Sequence, residues 1–258
     1  DWFKRLRHHP HRLIIHLLEP SMASNQVSSG ILLNPGDLTL NTSTQQANLG
    51  DRAENGARSF RYCLAGGTTL VAGKLQQAAA EVTADQGLTA VAAAIGATSL
   101  VSTSTVTVTA NQYAEGWAVI TITPGQGFMY QIGGHAAFTS AAPTFTLNDP
   151  IAVALTTDSR VDLVANPFKS VIVNPTSATS APVGAAVNNI TTLYYGWLQV
   201  AGPASLLNDG GSTVGTNVSA SNATAGAVEA AVTAQAAVGV ALTGVATGDY
   251  GMINMTLR

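Results

Sequence analysis

Apolar positions along this chain recur mostly with a period of two and in short runs. At residues 99–109 the text SLVSTSTVTVT sets β-branched Val and Thr alternately on two faces, the pattern of a half-buried strand. TANQYAEGWAVITIT continues it past a turn at Glu115-Gly116, with Trp117, Val119 and Thr121 on one face, and Pro124-Gly125 ends it. FMYQI starts another strand closed by Gly133-Gly134, and TFTLNDPIAVAL, SRVDLVANPF and SVIVNPT supply three more between Asp-Pro and Asn-Pro breakers. Upstream, FRYCLAGGTTLVAGKL at residues 60–75 reads as strand, Gly66-Gly67 turn and strand, a tight hairpin. Downstream, YGWLQV is a strand stopped by Gly202-Pro203, NDGG at 208–211 is a hairpin turn, and the chain ends in two strands around Thr247-Gly248-Asp249. In the last of these Met252, Asn254 and Thr256 alternate with Ile253, Met255 and Leu257. Ala78–Ala80 and Ala90–Ala97 are the only candidates for short helices, and neither is long or amphipathic.

Turn signals at intervals of roughly 8–12 residues are the spacing of a sandwich or barrel. The expected fold is therefore all-β, built of short-stranded β-barrel or sandwich modules with an extended N-terminal arm. Four regions follow: an atypical extension at 1–21, the arm at 22–59, a β-rich domain at 60–190, and a C-terminal small β-barrel or hairpin module at 191–258, whose Ala and Gly suit a tapering barrel. RYCLAGGTTLVAGKL and GWLQVAGPASLLNDG echo each other as an aromatic strand, Ala-Gly and a leucine-bearing second strand. The arm holds few large apolar residues besides Ile31, Leu32, Leu33, Leu38 and Leu40. Such a segment cannot bury itself, so residues 25–55 are expected to add a strand to a neighbouring chain's sheet edge, with these five side chains as the partner-binding set.

Composition changes the functional picture more than the fold. Only 10% of the 258 residues are charged, against roughly a quarter in an ordinary domain. The imbalance is local: Lys4, Arg5, Arg7 and Arg12 lie in the first 21 residues with His8, His9, His11 and His16. From Met22 onward 7 basic residues face 12 acidic ones, a net charge of −5. That body lacks the clustered basic face that displaces counterions from phosphates, so no nucleic-acid partner is expected. No run approaches the roughly 20 apolar residues of a spanning helix, so no membrane partner is expected either. Residues 1–21 (DWFKRLRHHPHRLIIHLLEPS) imitate a secretory signal, but His16 interrupts the apolar run. Met22 is the expected natural start of the domain-forming sequence, the alternative being an amphipathic docking peptide. Clustered His8, His9 and His11 read as a solvated tail more readily than as metal ligands.

Chemistry-bearing residues are sparse. Cys63 is the sole cysteine; it reads as a small buried apolar residue, and a nucleophilic role would require His135, the only body histidine, to come close. His135 has no Ser-Gly elbow or carboxylate beside it in sequence and reads as a turn or interface residue. Asp158 and Asp162 in TTDSRVD faintly suggest a calcium loop but lack its carboxylate run and central glycine. PGQG at 124–127 has the glycines of a phosphate cradle without a following Lys or helix. Asn41, Asn189, Asn217, Asn222 and Asn254 head N-x-[ST] triplets, which a Ser- and Thr-rich chain produces by composition. No catalytic, cofactor or metal residue is assigned.

The phrases RSFRYCLAGGTTLVAGKLQQ, TANQYAEGWAVITITPGQGFMYQIGGH, NDPIAVALTTDSRVDLVANPF and LYYGWLQVAGPASLLNDG, with the VGVALTG ending, resemble structural proteins encoded beside the major capsid gene of tailed bacteriophages, most closely the capsid decoration, or cement, proteins. The resemblance covers most of residues 60–258, rests on overall phrasing, and excludes residues 1–21. It implies a β-rich, often trimeric protein on the outer capsid surface that clamps the major capsid protein lattice. Two competitors stand beside it. A tail, fibre or surface adhesion module would bring repeats or a carbohydrate-binding aromatic cluster, for which Trp117, Trp197 and Tyr195 are few. A glycan hydrolase would need paired carboxylates, and Glu54, Glu81, Glu115 and Glu229 are isolated in sequence.

Overall fold

The computed structural model describes residues 31–33, 36–103, 107–139, 142–232 and 235–257. The extension at 1–21 and the first part of the arm lie outside the described residues. The chain is all-β, in two curled half-barrel sheets, and no helix among the described residues is long and apolar enough to cross a membrane.

The first sheet opens with β1 (Ile31–Leu32), β2 (Arg52–Asn55), β3 (Arg58–Leu64) and β4 (Leu75–Gln77). The chain then leaves it for a second, six-stranded sheet: β5 (Leu88–Thr89), β6 (Ser99–Val101), β7 (Trp117–Ile122), β8 (Met129–His135), β9 (Thr144–Leu147) and β10 (Arg160–Val164), in spatial order β5-β10-β7-β8-β9-β6. It returns with β11 (Ile172–Val173), β12 (Pro182–Ala186), β13 (Tyr195–Leu207), β14 (Asn217–Ala220), β15 (Val228–Ala230), β16 (Ala237–Ala241) and β17 (Tyr250–Thr256). The main path of the first sheet runs β1-β2-β3-β13-β17-β16-β14-β15, with β4, β11 and β12 paired beside it. The boundaries expected at 59 and 190 therefore do not follow the sheets: one sheet is contiguous in sequence, while the other joins both ends of the described chain. β13 belongs to no separate C-terminal module, because it pairs with β3 along Tyr195↔Leu64 to Ala201↔Ser59.

Each sheet has its own apolar interior. Leu100, Tyr113, Ile120, Ile132, Phe145, Ile151, Leu155 and Val161 fill the second. In the first, Leu75, Leu206, Val218, Val238, Ile253 and Met255 form one cluster, Cys63, Leu70, Val171, Ile190 and Leu198 a second, and Leu33, Leu38, Leu49, Phe60, Tyr62 and Trp197 a third. In β7 the core takes Ala118 and Ile120, so Trp117, Val119 and Thr121 do share a face, and it is the one turned away from the core. In β17 exposure alternates strictly, with Gly251, Ile253 and Met255 buried and Tyr250, Met252, Asn254 and Thr256 exposed.

Several local expectations are corrected. The hairpin at 60–75 does not form, because β3 has β2 on one side and β13 on the other, leaving β4 to pair with β11 and β12. Gly66 serves close approach instead: its N–H donates to Val171 O at 2.8 Å, and a Cβ would sit 2.9 Å from Ser170 O. The alanine runs form no helix. Ala90, Ala93 and Gly96 send their N–H groups sideways to Ser159, Leu155 and Ile151 carbonyls, an extended course that small side chains permit along a packed neighbour. Gly202-Pro203 does not stop β13. The strand bulges between Gln199 and Ala201, Gly202 adopts φ +84°, and β3 has no residue opposite Pro203, so the missing proline N–H breaks no ladder bond on that side.

Candidate interaction surface

The proposed arm residues do not behave as a set. β1 pairs in parallel with β2 of the same chain, Ile31↔Ala53 and Leu32↔Glu54. Leu33 N–H donates to Glu54 O at 3.0 Å, and Asn55 Nδ2 donates to Leu33 O at 2.8 Å. Leu33 and Leu38 are buried against Phe60, Tyr62 and Trp197, whereas Leu40 is 40% exposed. The expectation that residues 25–55 place their strand on a neighbouring chain is thus corrected for the described part. The free edge of β2 was available within the chain, and an unpaired edge takes the nearest extended segment.

Loops meet at the seam between the sheets around Glu115, itself at φ +64°. Its carboxylate accepts the Leu49 N–H at 2.6 Å and the Gln45 amide at 2.7 Å. Buried Asn166 donates to the carbonyls of Leu49 and Glu115, both at 3.0 Å. Lys169 Nζ donates to the carbonyls of Asn111 and Ala114; burial pulls this ammonium down, and the Glu115 charge opposes that pull. Below, Tyr113 donates its hydroxyl to the buried Asp85 carboxylate. This is a fastening, the Glu115 carboxylate and the Lys169 ammonium both being directed at the protein's own groups.

The remaining candidates read the same way. His135 Nε2 accepts the Tyr113 N–H at 3.0 Å, so its proton sits on Nδ1, which donates to Ala136 O at 2.8 Å. With both nitrogens engaged and burial holding its pKa down, the ring is a neutral core element. Cys63 is fully buried in the first sheet, its thiol pushed up by burial, in a different cluster from His135. In TTDSRVD the carbonyls of Thr157, Asp158 and Ser159 receive Arg160 Nη1, placing a guanidinium where a cation loop would need its ion. Asp162 accepts Gly87 N–H at 2.7 Å. No cluster of three potential metal ligands occurs among the described residues. PGQG is the β7–β8 turn, with the Gly127 N–H donated to Ile120 O at 2.8 Å. The carboxylates stay apart: Glu54 pairs with Arg52 at 2.6 Å, Glu115 sits at the seam, Glu229 accepts Asn222 N–H at 3.2 Å, and Glu81 lines a cavity. Asn41 exchanges hydrogen bonds with Thr191 at 2.8 and 3.2 Å, which binds the loop after Leu40 to the one before β13.

One surface lies beyond what the sequence reading assembled. On the outward side of β17 stand Tyr250, Met252, Asn254 and Thr256. Opposite them in β13 come Leu207, Ser205, Pro203 and Ala201, and Val240 of β16 lies beside Asn254. None of these positions carries a charge. Tyr250 is 51% and Met252 48% exposed, and exposed Leu242, whose N–H donates to Met252 O at 2.8 Å, extends the face. Alternation in Ala201, Pro203, Ser205 and Leu207 against buried Ala204 and Leu206 was the available signal, hidden by the assumption that Gly202-Pro203 ends the strand. Several of the body's cations meanwhile bond to the protein's own groups: Arg58 to Gln199 at 2.8 Å, Arg61 through Nη1 to Gly50 O at 2.9 Å, and Arg160 and Lys169 to loop carbonyls, while Arg52, its side chain 60% exposed, pairs with Glu54.

Comparison with protein-family models, with curated proteins and with solved structures finds no match for this chain.

Proposed function

We propose that this protein is a capsid decoration protein of a tailed bacteriophage, binding as a homotrimer to the outside of the head and stabilising the major capsid protein lattice. The observation that carries the reading is the uncharged face of β13, β17 and β16, with Tyr250, Met252 and Leu242 exposed on it. Exposed apolar side chains on a surface free of charge are suited to burial against another protein, since no ion has to be desolvated. The low charge of the whole body and the resemblance in phrasing support the same role. Many copies, each burying a modest area, stabilise a lattice by mass action. Imaging of particles produced with and without the chain tests the proposal. Stoichiometric density outside the head, lost when the chain is omitted, is expected; density confined to the tail, or on no part of the particle, overturns it.

A further inference from the structure

Between the two sheets lies a cleft of about 480 Å³ that the fastening residues border but do not fill. Its volume falls within the roughly 300–1,000 Å³ of small-ligand sites. Trp117 and Gln131 line one wall. They are directly opposed across β7 and β8, so they stand side by side on the face turned from the core. Arg61 of β3 lines the other wall, and Phe168 closes one end. Phe168 comes so close to Gly50 that a Cβ there would meet its ring at 3.1 Å, and Gly50 holds φ +87°.

The polar groups are fixed in a way that leaves donors over. Arg61 Nη1 is held on Gly50 O at 2.9 Å, while its Nε and Nη2 have no partner among the described residues. Gln131 Oε1 accepts from Asn148 Nδ2 at 2.9 Å, which leaves the Gln131 amide N–H groups unpaired among the described residues. The cleft therefore offers an indole, a phenyl ring, the aliphatic surfaces of Pro182, Val183 and Val200, and donors, one of them cationic. Its complement is a molecule with a flat C–H face, several acceptor oxygens around its edge and a negative charge. A uronic-acid saccharide has all three: the pyranose face packs on the indole, the ring oxygens and hydroxyls accept from Gln131, and the carboxylate takes the guanidinium. A nucleotide chain would also stack, but its repeated phosphates would meet a body of net charge −5.

We infer that the Trp117–Gln131–Arg61 cleft binds an acidic saccharide of the uronic-acid class, independently of the role proposed for the outer face of β17. Titration of the full chain with trigalacturonate, followed by calorimetry and tryptophan emission and compared with the neutral galactotriose, tests it. Saturable binding of trigalacturonate is expected, with weaker binding of galactotriose. Arg61→Gln should weaken trigalacturonate binding about tenfold, the loss of one charge-assisted hydrogen bond, and leave galactotriose unaffected. Trp117→Ala should abolish both. Absence of saturable trigalacturonate binding, equal binding of the two sugars, or unchanged affinity in Arg61→Gln overturns the inference; the last readout stands even where Trp117→Ala does not fold. Particle imaging is blind to this site, so the two proposals fail separately.

Discussion

Glu115 accepts the backbone N–H of Leu49 at 2.6 Å, joining the loop before β7 in one sheet to the loop before β2 in the other. The same carboxylate holds Gln45, and Asn166 ties the carbonyls of both loops together. A contiguous sheet inserted between β4 and β11 has its own core, and these bonds, with those from Lys169 to the Asn111 and Ala114 carbonyls, tie it to the first sheet. Glu115→Ala removes two acceptor oxygens at once, both of them belonging to the carboxylate and so charge-assisted. The expected loss is about 1.5–3 kcal/mol, with amide exchange accelerated at Leu49, whose backbone N–H loses its acceptor, and unchanged within β16 and β17. Uniform acceleration over the whole chain would show that the seam is no separate cooperative unit.

The packing of Leu33 and Leu38 makes a second prediction. Leu38→Ala opens a cavity beside Phe60 and Trp197 and should cost about 2–5 kcal/mol. Because the site is filled from within the chain, the difference in melting temperature between variant and parent should be the same at low and high protein concentration. A difference that grows on dilution would place the arm on another copy.

His135 makes stability depend on pH. Burial lowers its pKa from the free value of 6.5 in the native state, and protonation would turn Nε2 from an acceptor into a donor facing the Tyr113 N–H. The unfolded chain then binds more protons than the native one near and below that free value, so stability rises with pH there. The contribution is complete above pH 6.5 and is lost as the pH falls below it. Denaturant midpoints between pH 7.5 and 5 should show this slope in the parent and a shallower one in His135→Gln, whose amide cannot titrate; equal slopes would remove His135 as the cause.

How much of this was legible beforehand depends on where the information resides. The all-β class and the strand ending at Thr256 were readable, because one face of β17 is buried and the other wet, and alternation records that difference directly. β13 was half readable: its first six residues show as a strand, but Gly202 and Pro203 mimic a stop when no partner strand is in view. Pairing of β3 with β13 rather than β4 joins residues more than a hundred positions apart, and nothing local encodes it. The helical reading of Ala90–Ala97 failed for the complementary reason, since alanine is compatible with helix and with close extended packing, and the neighbours at 151–159 decide. Among candidate sites, buried Cys63 agrees with its sequence context, whereas His135, expected at a turn or interface, ends β8 buried against Phe145 because β9 and the loop at Tyr113 close over it; the Trp117 cleft depends on Arg61 arriving from the other sheet.

Gly202 tests the reading of β13 directly. A Cβ there would overlap the Ala57 carbonyl oxygen at the tip of the β2–β3 turn, and the φ of +84° is one that side chains rarely adopt. Gly202→Ala should therefore destabilise by about 1–3 kcal/mol or more, whereas Gly210→Ala, also at positive φ but with open space around it, should lose only the conformational part. Thermal melts of the two variants give the comparison. Equal losses would mean that the approach of the β2–β3 turn to β13 contributes nothing.

The outward face of β17 separates stability from association. Met252 and Asn254 are exposed, and their buried neighbours Ile253 and Met255 face the opposite side. Met252→Lys with Asn254→Lys should leave the melting temperature nearly unchanged, since exposed substitutions stay within about 0.5 kcal/mol. In an interface those two ammonium groups would have to be desolvated without partners, at a cost of several kcal/mol per buried ion. The double variant should thus remain folded and fail to co-sediment with phage heads that retain the parent chain. Retention of the variant at parental stoichiometry would exclude this face as the surface of attachment, and a fall in melting temperature would show that the face already packs against a second copy.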